Sequence, residues 1–252
     1  MTKKYNPNDK YGNLYYISKA LNSLHKCNLI HRDLHSGNLL LSTDMFTHIS
    51  DLGLSQPADG STKPDEIYGV LPYIAPEVLR GNPYTKASDI YSFGIIMWEM
   101  TSGVPAFSNV PHEFELCYDI CRGLRPRIVE GTEVEYVNLM KRCWDGDPEN
   151  RPTSLELIEY FKKWRHIYKF NYLERVNVPV NELIRHHPKA CYTSRRIGYS
   201  AKLNEMLLRQ SNHHNRFDSQ ADCILTPEDI ENAQTEYFSM NQMMNIENIE
   251  NN

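Results

Sequence analysis

Asp89-Ile90-Tyr91-Ser92-Phe93-Gly94-Ile95-Ile96-Met97-Trp98-Glu99-Met100 is apolar on nearly every side of a helical wheel. A helix that is hydrophobic all round has to be buried all round, and Gly103 with Pro105 mark where this one stops. The neighbouring chain must then supply further helices to cover it, so the expected fold class is mainly α. On the N-terminal side, Leu14, Ile17, Leu21 and Leu24 recur at spacings of three and four between Asn13 and Asn28, the pattern of an amphipathic helix. On the C-terminal side, helices are expected at Glu113 to Arg122 and at Tyr136 to Trp144, where Tyr136, Leu139, Met140 and Cys143 share a face. A last helix begins at Thr153, whose hydroxyl can cap it while Glu156 reaches back, with Leu155, Ile158, Phe161 and Ile167 as its expected buried side. Two short extended runs, Leu39 to Leu41 and His48 to Ser50, flank the polar Ser42-Thr43-Asp44 and read as a small hairpin. Leu54 to Tyr68 has little periodicity and reads as a long surface loop, a kind of segment that is usually functional.

Composition divides the chain. Hydrophobic residues are 40% of the 252, and the mean hydropathy is -0.57, so the apolar content is concentrated in one part. After about Asn171 the pattern fades, and residues 217–252 carry eight acidic side chains with no Lys or Arg. Such a stretch cannot bury enough apolar surface to offset its chain entropy. The expectation is a folded domain over 1–170 and a polar, mostly disordered tail over 171–252, with Ala201 to Arg209 as one short helix. A net charge of -5 and a pI near 6.1 remove the basic footprint of a nucleic-acid binder. No apolar run reaches membrane-spanning length and the start, MTKKYNPNDKYG, lacks a secretory signal, which points to a cytoplasmic protein without a membrane partner. Cys27, Cys117, Cys121, Cys143, Cys191 and Cys223 show no C-x-x-C pair and read as free thiols.

The chemistry is carried by HRDLHSGN at His31 to Asn38, DLG at Asp51 to Gly53, APE at Ala75 to Glu77, SDIYSFG at Ser88 to Gly94, and Arg151-Pro152-Thr153. In this order the set resembles the protein kinases over roughly residues 11 to 169, and specifically their C-terminal, large lobe, a helical bundle with small β hairpins. The later segment GLRPRIVEGTEVEYVNLMKRCWDGDPENRPT is similar to the tyrosine-kinase-like branch, and Gly69 with Tyr73 is closer to the serine/threonine type. The resemblance implies ATP and Mg2+ as cofactors and a protein hydroxyl as substrate. It implies Asp33 as the carboxylate that orients the hydroxyl and accepts its proton, Asn38 and Asp51 as magnesium ligands, and Leu40 with Asp51 at the nucleotide. Hard cations favour such oxygen ligands, and phosphoryl transfer depends mainly on positioning. Supporting roles fall to His31, Arg32 and Gly53, to Asp89 as acceptor for the backbone around His31 and Arg32, and to a buried pair of Glu77 and Arg151. Arg32 also suits a phosphate on the long loop, at Ser55, Ser61, Thr62 or Tyr68.

Three positions depart from the family pattern. Leu52 stands where Phe is usual. His35, counted here among the catalytic residues, stands where serine/threonine kinases usually have a Lys, so the fixed positive charge on the transferring phosphate is replaced by a group that titrates. Val70 replaces the Thr that pairs with that Lys. The front differs more: 30 residues precede His31, with no Gly-rich loop and no strand lysine, and Lys3 and Lys4 read as solvated. The expectation is a large lobe lacking the N-terminal β lobe, with an apolar cleft floor exposed around Leu40 and Leu52 and impaired activity alone. The alternative is a non-catalytic, pseudokinase-like binding module that meets protein partners through the exposed cleft face or the acidic tail.

Overall fold

A computed structural model describes residues 7–41, 47–58, 67–168 and 186–213. Among the described residues are seven α-helices, α1 (Pro7–Lys26), α2 (Pro76–Leu79), α3 (Lys86–Ser102), α4 (Phe114–Cys121), α5 (Val134–Cys143), α6 (Ser154–Tyr168) and α7 (Ser200–His213), and four single-turn 3-10 helices. Three two-stranded antiparallel ribbons accompany them: β1 (Leu29–Ile30) with β4 (Gln56–Pro57), β2 (Leu39–Leu41) with β3 (Thr47–Ile49), and β5 (Tyr68–Gly69) with β6 (Arg195–Arg196). The fold is thus mostly helical.

The centre is α3. Every residue from Asp89 to Trp98 is buried. The helix starts one turn before Asp89 because Thr85 and Ser88 form a capping box: the Thr85 hydroxyl accepts from the Ser88 N–H at 3.3 Å and the Thr85 N–H donates to Ser88 Oγ at 3.1 Å. Its end is the left-handed Gly103. α5 packs against it closely at Gly94, where an added Cβ would stand 2.8 Å from the Cys143 Cβ and 3.2 Å from the Trp144 nitrogen.

α1 covers α6, with Tyr11, Leu14, Ile17 and Leu21 buried. On α6 the buried side is Leu157, Phe161 and Trp164, with Ser154 in the same row; Leu155 and Ile167 are exposed, which corrects the stripe expected from the sequence. The spacing of 154, 157, 161 and 164 fits a helical face as well as the expected one, and Ser154 is drawn inward by His25 and Asn22, 3.2 and 3.3 Å from its hydroxyl. Thr153 and Glu156 cap the helix as a reciprocal pair: Glu156 Oε2 accepts from the Thr153 N–H at 2.8 Å.

The described residues 186–209 belong to the same compact unit as the helices before them. The boundary expected at residue 170 therefore does not hold for 186–209. Ile197 and Leu203 from this stretch are 2% and 0% exposed in the shared core, and α7 extends the expected helix at both ends. The segment docks through a few scattered apolar side chains, Ile197 and Leu203 in the core with Tyr192, Tyr199 and Leu207 packed against it, together with backbone hydrogen bonds that composition does not register. The expectations for residues 169–185 and 214–252, for Ser42-Thr43-Asp44, and for Ser61 and Thr62 lie outside the described residues. Among the described residues, no helix is long and apolar enough to cross a membrane and no cluster of three His, Cys, Asp or Glu side chains is placed to hold a metal. Cys117, Cys121 and Cys143 are buried, and burial pushes their thiols up, that of Cys121 to about 11.

Candidate active site

The HRD segment leaves β1 and turns sharply at Arg32, whose backbone is left-handed (φ 71°). An L-residue holds that conformation only where its surroundings compensate, and Asp89 does so. Its Oδ2 accepts from the His31 N–H at 2.9 Å and its Oδ1 from the Arg32 N–H at 3.0 Å, while His25 Nε2 donates to Oδ2 at 2.9 Å. The first turn of the central helix thus fixes the loop. The His31 ring lies beneath it: Nε2 donates to the Ser50 carbonyl at 3.1 Å, and Nδ1 accepts from the Asp33 N–H at 3.3 Å, a pair of roles that sets one tautomer.

Asp33 is 5% exposed and its backbone is tied to Asn38, whose amide Nδ2 donates to the Asp33 carbonyl at 2.9 Å. The Asn38 carbonyl in turn accepts from both the N–H and the hydroxyl of Ser50, at 2.8 and 3.0 Å. Ser50 therefore joins His31 and Asn38 and leads directly into Asp51. Asp51 is exposed, sits in a left-handed conformation (φ 58°, ψ 67°), and accepts from the Gly53 N–H at 3.4 Å. Leu40 and Leu52 nearby in sequence are 56% and 50% exposed.

His35 folds back so that its Nδ1 accepts from the Gly37 N–H at 3.1 Å. In the neutral ring the proton is then on Nε2, which lies 3.7 Å from Asp33 Oδ2 and 3.4 Å from Ser194 Oγ. The Ser194 hydroxyl donates to Asp33 Oδ2 at 2.5 Å, and Asp33 Oδ1 is buried without a hydrogen-bond partner among the described residues. Burial alone would raise the Asp33 carboxyl, but the hydrogen bonds from His35 and Ser194, with the two imidazoles beside it, outweigh that and hold it below the ordinary carboxylate range.

β5 forms the facing wall. Gly69 has φ 151°, a region L-residues avoid, and an added Cβ there would lie 3.4 Å from Asp33 Oδ1 and from Ile74. Val70 is 2% exposed and brings no hydroxyl to the wall. The following turn is anchored by Tyr73, whose hydroxyl donates to Glu99 Oε1 at 2.6 Å and lies 2.9 Å from Ser36 Oγ. Burial, together with the Glu99 carboxylate, pushes the Tyr73 hydroxyl well up. Arg32 stacks on Tyr84, 4.7 Å from the ring centre. Farther out, Arg151 holds Glu77 through two contacts of 2.7 Å and donates to the Ala87 and Asp145 carbonyls as well.

Asp33, His35, Asn38, His31 and Asp89 are thus brought into one connected network, Asp51 follows Ser50 in the chain but its carboxylate bonds to the Gly53 N–H instead of to that network, and Glu77 and Arg151 form a separate buried pair. Sequence reasoning missed Ser194, Glu99 and His25. None of the three carries a spacing signal: Glu99 shares the buried helix with Asp89 and nothing in the sequence sets it apart as part of the site, and His25 and Ser194 meet their partners across many residues.

Comparison with known proteins gives a matching pattern. Residues 1–161 match the family described as protein tyrosine and serine/threonine kinase. A probable LIM domain-containing serine/threonine-protein kinase of Dictyostelium discoideum is 33% identical over 147 residues, 58% of this chain and 22% of that protein. Serine/threonine-protein kinase STY17 of Arabidopsis thaliana is 33% identical over 143 residues, covering 57% and 25% of the two chains. Serine/threonine/tyrosine-protein kinase HT1 of the same plant is 30% identical over 154 residues, covering 61% and 39%. In each of these three, the match spans well under half of the relative's length. Similarity to STY17 and HT1 fits the tyrosine-kinase-like branch. With more than half of its residues matched and the HRD, DLG and APE segments in family order, the chain belongs to the protein tyrosine and serine/threonine kinase family.

Proposed function

We propose that this chain is the large lobe of an ATP-dependent protein kinase that acts on serine or threonine hydroxyls. The observation that carries the reading is the network around Asp33: an ionised, buried carboxylate on a loop fixed by Asp89, with its backbone tied through Asn38 and Ser50 to Asp51. Asp33 orients the acceptor hydroxyl and takes its proton. Asn38 and Asp51 offer an amide and a carboxylate oxygen, a donor set that fits a divalent cation whose remaining ligands are water and phosphate oxygens. The exposed face of Leu40 fits the flat apolar surface of an adenine ring. When bound, Mg-ATP supplies the phosphoryl group and a leaving diphosphate. His35 places an Nε2–H beside Asp33 Oδ2, where it can donate to an oxygen of the acceptor or of the phosphate, a weaker substitute for a lysine charge. Serine/threonine preference is supported by the names of the relatives and by a serine hydroxyl on Asp33.

The test is phosphate transfer by the purified chain to casein and to a mixed tyrosine polymer, with Mg-ATP. Transfer to Ser or Thr, lowered at least about a hundredfold in Asp33→Asn, is the expected result. Val70 and His35 favour a second reading, a non-catalytic module that binds partners. No transfer to either substrate, together with no thermal stabilisation by Mg-ATP at millimolar concentration, would decide for it, because a ligand that binds the folded state must stabilise it.

A further inference from the structure

The residues on the far side of Asp33 come from the chain's own C-terminal region. β6 adds to β5 as an antiparallel strand, with Arg195 opposite Gly69 and Arg196 opposite Tyr68, and the Ile197 N–H donates to the Ile67 carbonyl at 2.9 Å. This is how an extended peptide is captured at a sheet edge: backbone pairing holds it, and side chains on alternate sides set its register. Here the register is fixed on both sides of Ser194. Downstream, Ile197 is buried. Upstream, the Tyr192 hydroxyl donates to the Ala106 carbonyl at 2.8 Å, the Cys191 N–H to His112 Nδ1 at 3.1 Å, and the His187 N–H to the Ser108 carbonyl at 2.7 Å. The Arg195 guanidinium donates to the His112 carbonyl. Between these anchors a single side chain reaches the reactive carboxylate, and it is a hydroxyl, 2.5 Å from Asp33 Oδ2.

We infer that residues 186–199 are a substrate segment carried in cis, and that Ser194 is the hydroxyl this site phosphorylates. The inference rests on the kinase reading above and names the substrate for it. In the step, a bond forms between Ser194 Oγ and the γ-phosphorus of a nucleoside triphosphate. The bond from that phosphorus to the bridging oxygen breaks, its electron pair leaves on the nucleoside diphosphate, and the hydroxyl proton passes to Asp33 Oδ2. A docked inert strand would need no hydroxyl at this position, and a segment held elsewhere would need no register at Asp33.

Two measurements on the full chain test this. Without nucleotide, hydrogen exchange at the Ile197 amide is expected to be slowed at least about a hundredfold against an unstructured peptide, and to lose that protection in Ile197→Asp. An unprotected wild-type amide would overturn the inference and leave the kinase reading untouched. With Mg-ATP, mass spectrometry is expected to find phosphate on Ser194 in the wild type but not in Asp33→Asn, at a first-order rate unchanged by a dilution of about a hundredfold. A rate proportional to concentration would overturn the assignment in cis, and transfer to casein with Ser194 unmodified would overturn the inference alone. No transfer to either would overturn the kinase reading and the role of Ser194 with it.

Discussion

At the scale of single residues, the molecule uses buried charge to position backbone. Arg151 is the clearest case, because its fully buried guanidinium satisfies Glu77 and two carbonyls at once. Arg151→Met leaves the Glu77 carboxylate buried with no cation, and should cost about 3 to 5 kcal/mol in chemical denaturation. Adding Glu77→Leu should recover most of that, since the loss comes from the orphaned charge more than from the pair itself. Asp33, Asn38 and Asp51 can be singled out from the sequence as a candidate set, because the spacing of HRD, Asn and DLG is short and ordered, and the hydrogen bond from Asn38 to the Asp33 carbonyl joins the first two. Glu99 and His25 were not, because each meets its partner across many residues and a lone acid or imidazole has no spacing to read. Ser194 was the least legible: it lies 161 residues from Asp33 in a stretch whose composition suggests no fold at all.

At the scale of elements, the helices followed from hydrophobic period, and the errors lay in phase and ends. α3 gained a turn from its Thr85 and Ser88 capping box, and α6 rotated to bury Leu157 and Trp164 instead of Leu155 and Ile167. A period fixes that a helix has a buried face; where two faces are similarly apolar, the partner helix chooses between them. The ribbon of β5 and β6 could not be read, since two-residue strands have no period. Its attachment carries a pH dependence. His112 is wholly buried beneath the docked segment, between the Cys191 and Phe107 carbonyls. Burial lowers its pKa below the ordinary 6.5; the charge of Arg195 and the nearby His187 act the same way, and the two carbonyls only partly oppose them. With the segment undocked, His112 therefore takes up a proton more readily than with it docked, so docking is strongest above about pH 6.5 and weakens as pH falls through and below it. Exchange at the Ile197 amide, corrected for its intrinsic rate, should show more opening at pH 5.5 than at 7.5, and His112→Asn should flatten the difference.

At the scale of the whole molecule, the helical lobe and the segment 186–209 share a core but need not share a stability. Leu203, fully buried, joins α7 to that core, and the Asn204 amide donates to the Arg80 carbonyl at 2.8 Å. The segment buries far fewer apolar groups than α3, so it should open as its own cooperative unit before the lobe unfolds. Leu203→Ala should speed amide exchange in 195–207 by at least about tenfold while leaving the slowest amides of α3 unchanged; equal acceleration in both would mean a single unit. The β5–β6 pairing also has a kinetic meaning. A strand on the same chain faces Asp33 at a fixed effective concentration, on the order of millimolar for a short tether, however dilute the protein is. Under the proposed kinase function, a free peptide substrate competes against that constant rival, so its apparent affinity is reduced to the fraction of time the β5 edge stands open. Selectivity for a proposed peptide substrate would then be set as much by how readily the resident strand leaves as by how well a visitor fits.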